Sequence, residues 1–190
     1  MTEGMVDRAR NSVVSVIRGA GDILGSVRQT VVDLVTGTLK GAGEITATAM
    51  GVVTDTVKGA IRGTREAGTE AAAGGKAVVS GAVEAVASVG GDVVAGAKSA
   101  VRAAVQGAAE IGADVGATAV GAVEGAIDAA GRVGKNVTEV AAGAVDQAVE
   151  SAGEIGRDAV DAVRKGLSSA ASVPRDLVDS AFRRREEGSP

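Results

Sequence analysis

Apolar residues recur along the chain in steps of three and four, and the whole pattern repeats every 22 residues. Written from Arg18, the sequence divides without gaps into seven such blocks, in which the apolar positions lie near 3, 6, 10, 14, 18 and 21. Steps of three and four place side chains on one face of an α-helix, whereas a half-buried strand alternates with a period of two. The pattern therefore predicts amphipathic helix throughout the repeats.

The length of the repeat suggests how these helices are built. Twenty-two is twice eleven, and eleven residues close three helical turns at roughly 3.67 residues per turn. This hendecad interpretation predicts an all-α fold of long amphipathic helices that assemble into a bundle, tube or stalk. The contact face of those helices is predicted to comprise Ile23, Val27, Val35, Ile45, Val57, Val79, Val89, Val93, Val101, Ile111, Val115, Val123, Val133, Val137, Val145, Ile155 and Leu167.

Three segments follow from the same pattern. Apolar positions continue in phase before the first block, which predicts a lead-in helix over 1–17. The seven helical repeats occupy 18–171. No proline precedes Pro174, so nothing interrupts a helix up to that residue. The remainder, 172–190, ends in RRREEGSP and is interpreted as a charged, solvated C-terminal tail.

One uninterrupted helix over the repeats would reach roughly 230 Å at 1.5 Å per residue, so a break is expected. Adjacent glycines weaken a helix more than any other pair of residues in this chain. Two such pairs occur, and we predict a hinge or bend between 74 and 91, at Gly74, Gly75, Gly90 and Gly91.

The composition implies that a single helix of this sequence is unstable in water. The chain has 29 glycines, one phenylalanine and no tryptophan or tyrosine, and most of its apolar residues are alanine and valine. Each glycine costs a helix about 1 kcal/mol relative to alanine. We therefore expect the apolar face to be covered by self-association, by partner helices, or by a lipid or granule surface.

Charge and hydropathy restrict the partners and the location. The net charge is −4, and residues 84–173 carry seven bases and twelve acids. Nucleic acid requires a basic stripe, so we expect no nucleic-acid partner. No apolar run approaches the ~18 residues of a membrane-spanning helix, and MTEGMVDRAR does not read as a signal peptide. The expected location is the cytoplasm, with peripheral attachment to a membrane or granule left open.

Candidate chemistry is sparse. The chain has no histidine and no cysteine, which excludes a Ser-His-Asp triad, a cysteine nucleophile and a Cys/His zinc site. The glycine string at 19–25 recurs at 41–47 and is therefore a repeat element rather than a dinucleotide loop. The carboxylate pairs Glu110/Asp114 and Glu154/Asp158 are spaced as neighbours on a solvated helix face. We expect no enzyme activity, no cofactor and no metal.

The eleven-residue periodicity, the small residues and strings such as TVKGAI, AGEIG and AVEGAI resemble the eleven-residue-repeat helix proteins. These include the synucleins, the perilipin-type droplet coats and the group 3 late-embryogenesis-abundant proteins. The synuclein signature KTKEGV is absent, and TVKGAI at 56–61 is its nearest counterpart. The resemblance implies non-enzymatic work, such as coating an apolar surface or forming helix on association.

Three functions remain open. The first is a structural assembly protein whose Ala/Val face packs against other helices and scaffolds a larger complex. The second is a reversible coat on a lipid membrane, droplet or storage granule. The third is a desiccation or stress protectant. We favour the first, because small side chains let helices approach closely but insert little hydrocarbon into lipid.

Overall fold

The computed structural model describes residues 2–17, 23–41 and 47–188, and within these ranges the chain forms helices and no strand. The all-α prediction is confirmed. The helices are α1 (Thr2–Ile17), α2 (Ile23–Gly41), α3 (Ala47–Glu66), α4 (Ala71–Ser88), α5 (Val93–Glu110), α6 (Val115–Arg132), α7 (Val137–Ile155), α8 (Arg157–Ser169) and α9 (Arg175–Gly188).

The helices stack as a two-layer solenoid. Over the described ranges, each helix packs against its neighbour in sequence and against the next helix but one, and against no more distant helix. The odd-numbered helices therefore form one layer and the even-numbered helices form the other. Such quasi-one-dimensional stacking, in which every repeat contacts only nearby repeats, is the arrangement of helical repeat proteins.

A glycine with positive φ lies two residues after the end of each helix from α3 to α6. The φ angle is +74° at Gly68, +75° at Gly90, +61° at Gly112 and +67° at Gly134, and these glycines are 22 residues apart. Side chains with a Cβ atom rarely adopt this left-handed conformation. The same block position therefore stops α3, α4, α5 and α6.

The turn between α4 and α5 illustrates how the helix ends. Gly90 N–H donates to the Ala87 carbonyl (3.0 Å), and Gly91 N–H donates to the Val86 carbonyl (2.9 Å). These two bonds satisfy carbonyls left free at the helix terminus, in the Schellman arrangement. The apolar sixth position of the block, here Val89, is the C-cap residue of the helix.

The N-cap residue of the next helix lies two residues after each of these glycines, and the helix begins one residue later. The Asp92 carboxylate accepts hydrogen bonds from the backbone N–H groups of Val94 (2.9 Å) and Ala95 (3.1 Å). Asp114 and Asn136 cap α6 and α7 through their side-chain oxygens in the same way. An oxygen-bearing side chain at the N-cap satisfies N–H groups that have no partner within the helix.

The repeat is thus one helix plus one turn, and not six turns of a continuous helix. The helices are 13 to 20 residues long, which corrects the expectation of long hendecad helices. The single hinge predicted between 74 and 91 is corrected too. Gly74 and Gly75 lie inside α4, and Gly90 and Gly91 form only one of several equivalent turns.

The core lies between the two layers and is built from small side chains. Alanine and valine supply most of it, and each contributes little buried area, so close packing has to compensate. The largest fully buried side chains include Leu167, Val13, Val27, Val31, Val35, Val53, Val57, Val78, Val79, Val83, Val86 and Val101. The helices therefore cover one another's apolar faces within a single chain.

Glycine sets the spacing of helices within one layer. A Cβ atom built on Gly81 of α4 would lie 2.5 Å from the Arg28 carbonyl oxygen of α2. A Cβ on Gly121 of α6 would collide still more closely with the Ala72 carbonyl oxygen of α4. These glycines lower helix propensity, but they allow a backbone approach that no other residue permits.

The segment predicted as a solvated tail forms α9, which corrects that interpretation. The helix starts directly after Pro174, as expected for a residue that cannot continue the preceding segment but fits a first turn. Val178, Ala181 and Phe182 are buried against α7 and α8. The exposed residues of α9 over 175–187 are charged.

Candidate interaction surface

Most of the predicted contact face lies inside the molecule. Val27, Val35, Val57, Val79, Val93, Val101, Val123, Val145 and Leu167 are buried between the layers. Val89, Ile111, Val115 and Val133 are half-buried at helix ends and pack against the same core. Because these residues contact other helices of the same chain, they offer little apolar surface to an external partner.

The remaining members of that face lie beside turns or outside the described residues. Ile23 begins α2, Val137 begins α7 and Ile155 ends α7, and their exposed fractions are 37%, 39% and 40%. Single exposed apolar residues of this kind are normal on a protein surface. Ile45 lies outside the described residues.

The glycines assigned to a hinge are packing sites or turn residues. A Cβ on Gly74 would lie 2.9 Å from the Thr64 hydroxyl oxygen of α3, and a Cβ on Gly75 would lie 2.8 Å from the Thr118 carbonyl oxygen of α6. Both are buried. They join α4 to its neighbours and provide no flexibility between two halves of the chain.

The outer surface is marked by ion pairs between neighbouring helices of one layer. In most of them a base on one helix reaches an acid on the next helix of its layer, 48 to 56 residues later. The pairs are Arg10–Glu66 (2.7 Å), Arg28–Glu84 (2.8 Å), Lys58–Glu110 (2.7 Å), Lys76–Asp128 (2.8 Å) and Arg102–Glu154 (2.6 Å). Neighbouring helices of one layer run parallel and lie two repeats apart, which is 44 residues. The paired residues are therefore offset by a further 4 to 12 residues, or about one to three helical turns.

Such exposed pairs each contribute about 0–1 kcal/mol to stability. Their main effect is on register, because sliding one helix along its neighbour changes the distance between the partners of every pair in the layer. These ion pairs were not predicted from the sequence, because the offset between neighbouring helices decides which charged residues face each other. The signal in the sequence is limited to the polar residues at block positions 1, 5, 11, 15 and 19.

Glu110 of the odd layer pairs with two bases of α3. It accepts hydrogen bonds from Lys58 Nζ (2.7 Å) and from Arg62 Nη2 (3.1 Å). The hydrogen bond from Lys58 lowers the pKa of Glu110 below its usual value, and Arg62 acts in the same direction. On the even layer, the hydrogen bond to Asp128 raises the pKa of Lys76.

The carboxylates of the two pairs noted in the sequence make different contacts. Asp114 caps α6, whereas Glu110 bridges α5 to α3. Glu154 pairs with Arg102 of α5, and Asp158 lies in the first turn of α8. Each carboxylate has its own structural partner or position, so neither pair forms an acid–base site.

The sign of the ion pairs reverses at the last odd-layer contact. Block position 19 is Lys58 in α3 and Arg102 in α5, but it is Asp146 in α7. Arg184 of α9 donates to Asp146, and the Arg185 guanidinium lies over the backbone of Gly153. The three-arginine run thus docks the terminal helix, a role that the sequence interpretation did not give it.

In the described part of the chain, no group of three or more acidic side chains is placed to hold a metal ion. Across the same residues, no helix combines the length and hydropathy needed to cross a bilayer.

A comparison with solved structures finds the same kind of architecture. The chain matches the crystal structure of the de novo designed helical repeat protein DHR7 with a TM-score of 0.52, over 97% of this chain and 99% of that one. Sequence identity is 19%, so the likeness concerns the fold alone. No protein-family model and no curated protein sequence matches the chain.

Proposed function

We propose that this protein is a non-enzymatic helical repeat scaffold, which presents a rigid, charged, two-layer surface to other macromolecules. One observation carries the proposal: most of the repeated apolar face is buried between the layers, and the exposed face carries ion pairs between neighbouring helices. A solenoid of this type offers an extended surface whose shape is set by repeat-to-repeat packing. Function then resides in that surface and not in a catalytic pocket.

The other two functions require the apolar face to be free in water. A lipid coat would insert that face into the acyl region, and a protectant would remain unfolded until drying. In this chain the face is buried against other helices, and uncovering it would cost the hydrophobic burial that holds the layers together. The fold therefore gives neither alternative support.

A scaffold must hold its two ends at a fixed separation, and this can be measured directly. Asn11 on α1 and Asp179 on α9 are exposed near opposite ends of the solenoid. Because the chain lacks cysteine, Asn11→Cys with Asp179→Cys accepts one donor and one acceptor dye without other changes. We expect a single narrow distribution of transfer efficiency that neutral or anionic vesicles leave unchanged.

A broad distribution would contradict the scaffold, because it would mean that the repeats move independently. A shift to lower transfer efficiency on vesicles would favour the coat, since the layers would then open on lipid. Circular dichroism on the same samples provides the matched readout: helicity should be high in buffer alone and should not rise when vesicles are added.

A further inference from the structure

The outer face of the even layer contains a cleft of about 250 Å³ where α2, α4 and α6 lie side by side. Pockets for drug-sized ligands are roughly 300–1,000 Å³, so this cleft suits a smaller molecule. The lining residues that matter here are Leu24 and Arg28 of α2, Ala73, Lys76 and Ala77 of α4, and Arg132 of α6.

The cleft exists because the central helix has short side chains between longer flanking ones. Ala73 and Ala77 form its floor, and Leu24 forms one apolar wall. Leu24 is 39% exposed, so it offers apolar surface to a ligand in the cleft. A short hydrocarbon group placed on this floor would remove apolar surface from water, which is favourable at about 25 cal/mol per Å².

The polar rim of the cleft carries three bases and one acid, Asp128. Arg28 Nη1 donates to Glu84 (2.8 Å), and Arg132 Nε donates to the other oxygen of the same carboxylate (2.7 Å). Arg132 also donates to the Ser80 hydroxyl. Two guanidinium groups therefore share one carboxylate, whose side chain is only 16% exposed.

After pairing with the shared carboxylate, the two guanidinium groups retain further N–H donors and a net positive charge. A guanidinium has five N–H donors, of which Arg28 uses one on Glu84 and Arg132 uses two. Lys76 is neutralised by Asp128 (2.8 Å), with Glu124 at 3.8 Å outside the cleft. The cleft thus keeps an excess positive charge at the arginine pair, beside an apolar floor. Paired guanidinium groups recognise carboxylate and phosphate oxygens well.

We propose that this cleft binds small amphiphilic anions, namely a carboxylate or phosphate group that carries a short hydrocarbon chain. The anionic group lies between Arg28 and Arg132, and the hydrocarbon chain lies on Ala73 and Ala77 against Leu24. The site is independent of the scaffold proposal, because it involves one outer face and leaves the packing of the layers unchanged.

Isothermal titration of the full chain with hexanoate and with hexyl phosphate tests the site. Hexylammonium and hexanol serve as probes that have the same chain but lack the negative charge. We expect saturable 1:1 binding of both anions, weakened by added salt, and at least tenfold weaker binding of the cation and the alcohol. Absence of saturable binding, or equal binding of hexanol, overturns the proposal.

Two matched pairs of variants locate the site. Leu24→Asp removes the apolar wall and adds a negative charge, whereas Ile155→Asp makes the same change at an equally exposed residue on α7. Ala73→Leu fills the floor, whereas Ala117→Leu fills the equivalent position of α6, 44 residues later. We expect the first member of each pair to weaken hexanoate binding at least tenfold, with the second unchanged.

Circular dichroism melts of all four variants show whether each protein is folded. Binding retained in both folded Leu24→Asp and folded Ala73→Leu overturns the proposal, and so does equal loss in the controls. Anionic vesicles form a separate arm: protein that sediments with vesicles yet ignores soluble hexanoate and hexyl phosphate would point to a lipid surface instead, and the small-molecule proposal fails.

Discussion

Arg184 of α9 pairs with Asp146 of α7, at a block position that is basic in the two preceding helices of the same layer. In this contact the base lies on α9 and the acid lies on α7. Elsewhere in that layer the base comes first and the acid follows. The contact between α7 and α9 therefore requires a base on α9, where the other odd-layer contacts require an acid on the later helix.

The first prediction tests this reversal. Asp146→Lys places a cation against Arg184 and Arg185, so we expect faster amide hydrogen exchange in α9 and a loss of about 1 kcal/mol in the free energy of unfolding. Combining Asp146→Lys with Arg184→Asp restores opposite charges. The double variant should recover most of the protection in α9. No recovery would show that α9 is held by Val178, Ala181 and Phe182 alone.

The second prediction concerns the glycine spacing of the layers. Gly121→Ala drives a Cβ atom into the Ala72 carbonyl oxygen, so α6 and α4 must move apart. We expect the free energy of unfolding to fall by roughly 1–3 kcal/mol, as for overpacking of a core. Gly37→Ala is the matched control, because a Cβ there meets nothing within 4 Å.

Gly37→Ala should raise the free energy of unfolding by about 0.5–1 kcal/mol, because alanine favours helix where no neighbour interferes. Urea unfolding followed by circular dichroism measures both variants. Equal effects at the two glycines would show that the tight approach of α6 to α4 does not exist in solution.

The third prediction separates two residues that the sequence placed on one face. Val123 is fully buried between the layers, whereas Val137 is 39% exposed at the start of α7. Val123→Asp buries a charge without a partner, and we expect a loss of more than about 3 kcal/mol in the free energy of unfolding.

Val137→Asp should be nearly neutral, because an acid in the first turn of a helix interacts favourably with the helix dipole. Thermal unfolding compares the two variants. If both proteins unfold alike, the apolar face is continuous and external, as a hendecad helix requires, and the two-layer arrangement is wrong.

The fourth prediction concerns pH. Because Lys58 and Arg62 stabilise the Glu110 carboxylate, its pKa in the folded protein lies below the usual value of 4.5. A group with a lowered folded pKa contributes stability above its unfolded pKa, and that contribution is lost as pH falls through the folded value. Glu110→Gln should therefore reduce stability near neutral pH and flatten the stability profile below about pH 4.5.

Urea unfolding between about pH 3 and pH 7 measures that profile. Glu139→Gln, on the exposed first turn of α7, is the control. A profile for Glu110→Gln that parallels the wild type over the whole range would mean that Glu110 is not engaged by Lys58 and Arg62.

The sequence predicted an all-α fold with a repeat of 22 residues, but the repeat was interpreted as continuous hendecad helix and is instead one helix plus one turn. Val89, Ile111 and Val133 sit at helix C-caps, so apolar residues keep their three- and four-residue steps across the turns. A hendecad helix and a helix-plus-turn repeat of equal length therefore share one apolar pattern. The distinguishing signal is the glycine followed two residues later by a capping Asp or Asn, as at Gly90 and Asp92.

The surface could not be predicted to the same degree. A pair such as Lys58–Glu110 joins residues 52 apart, and only the stagger between parallel helices brings them together. That stagger depends on how closely glycines such as Gly121 allow two backbones to approach. Helix α9 was missed because its charged residues dominate the composition, although Val178, Ala181 and Phe182 recur at helical spacing.

Lys58 and Glu110 also provide the most direct test of the central claim, that the repeats stack into two layers within one chain. Spin labels at Lys58→Cys and Glu110→Cys should show strong dipolar broadening, since the native side chains are in contact. A continuous helix would separate the two sites by about 78 Å. The labelled protein is then measured in a large excess of unlabelled protein. We predict that the broadening persists on dilution, and its disappearance, or its absence from the start, would contradict the account.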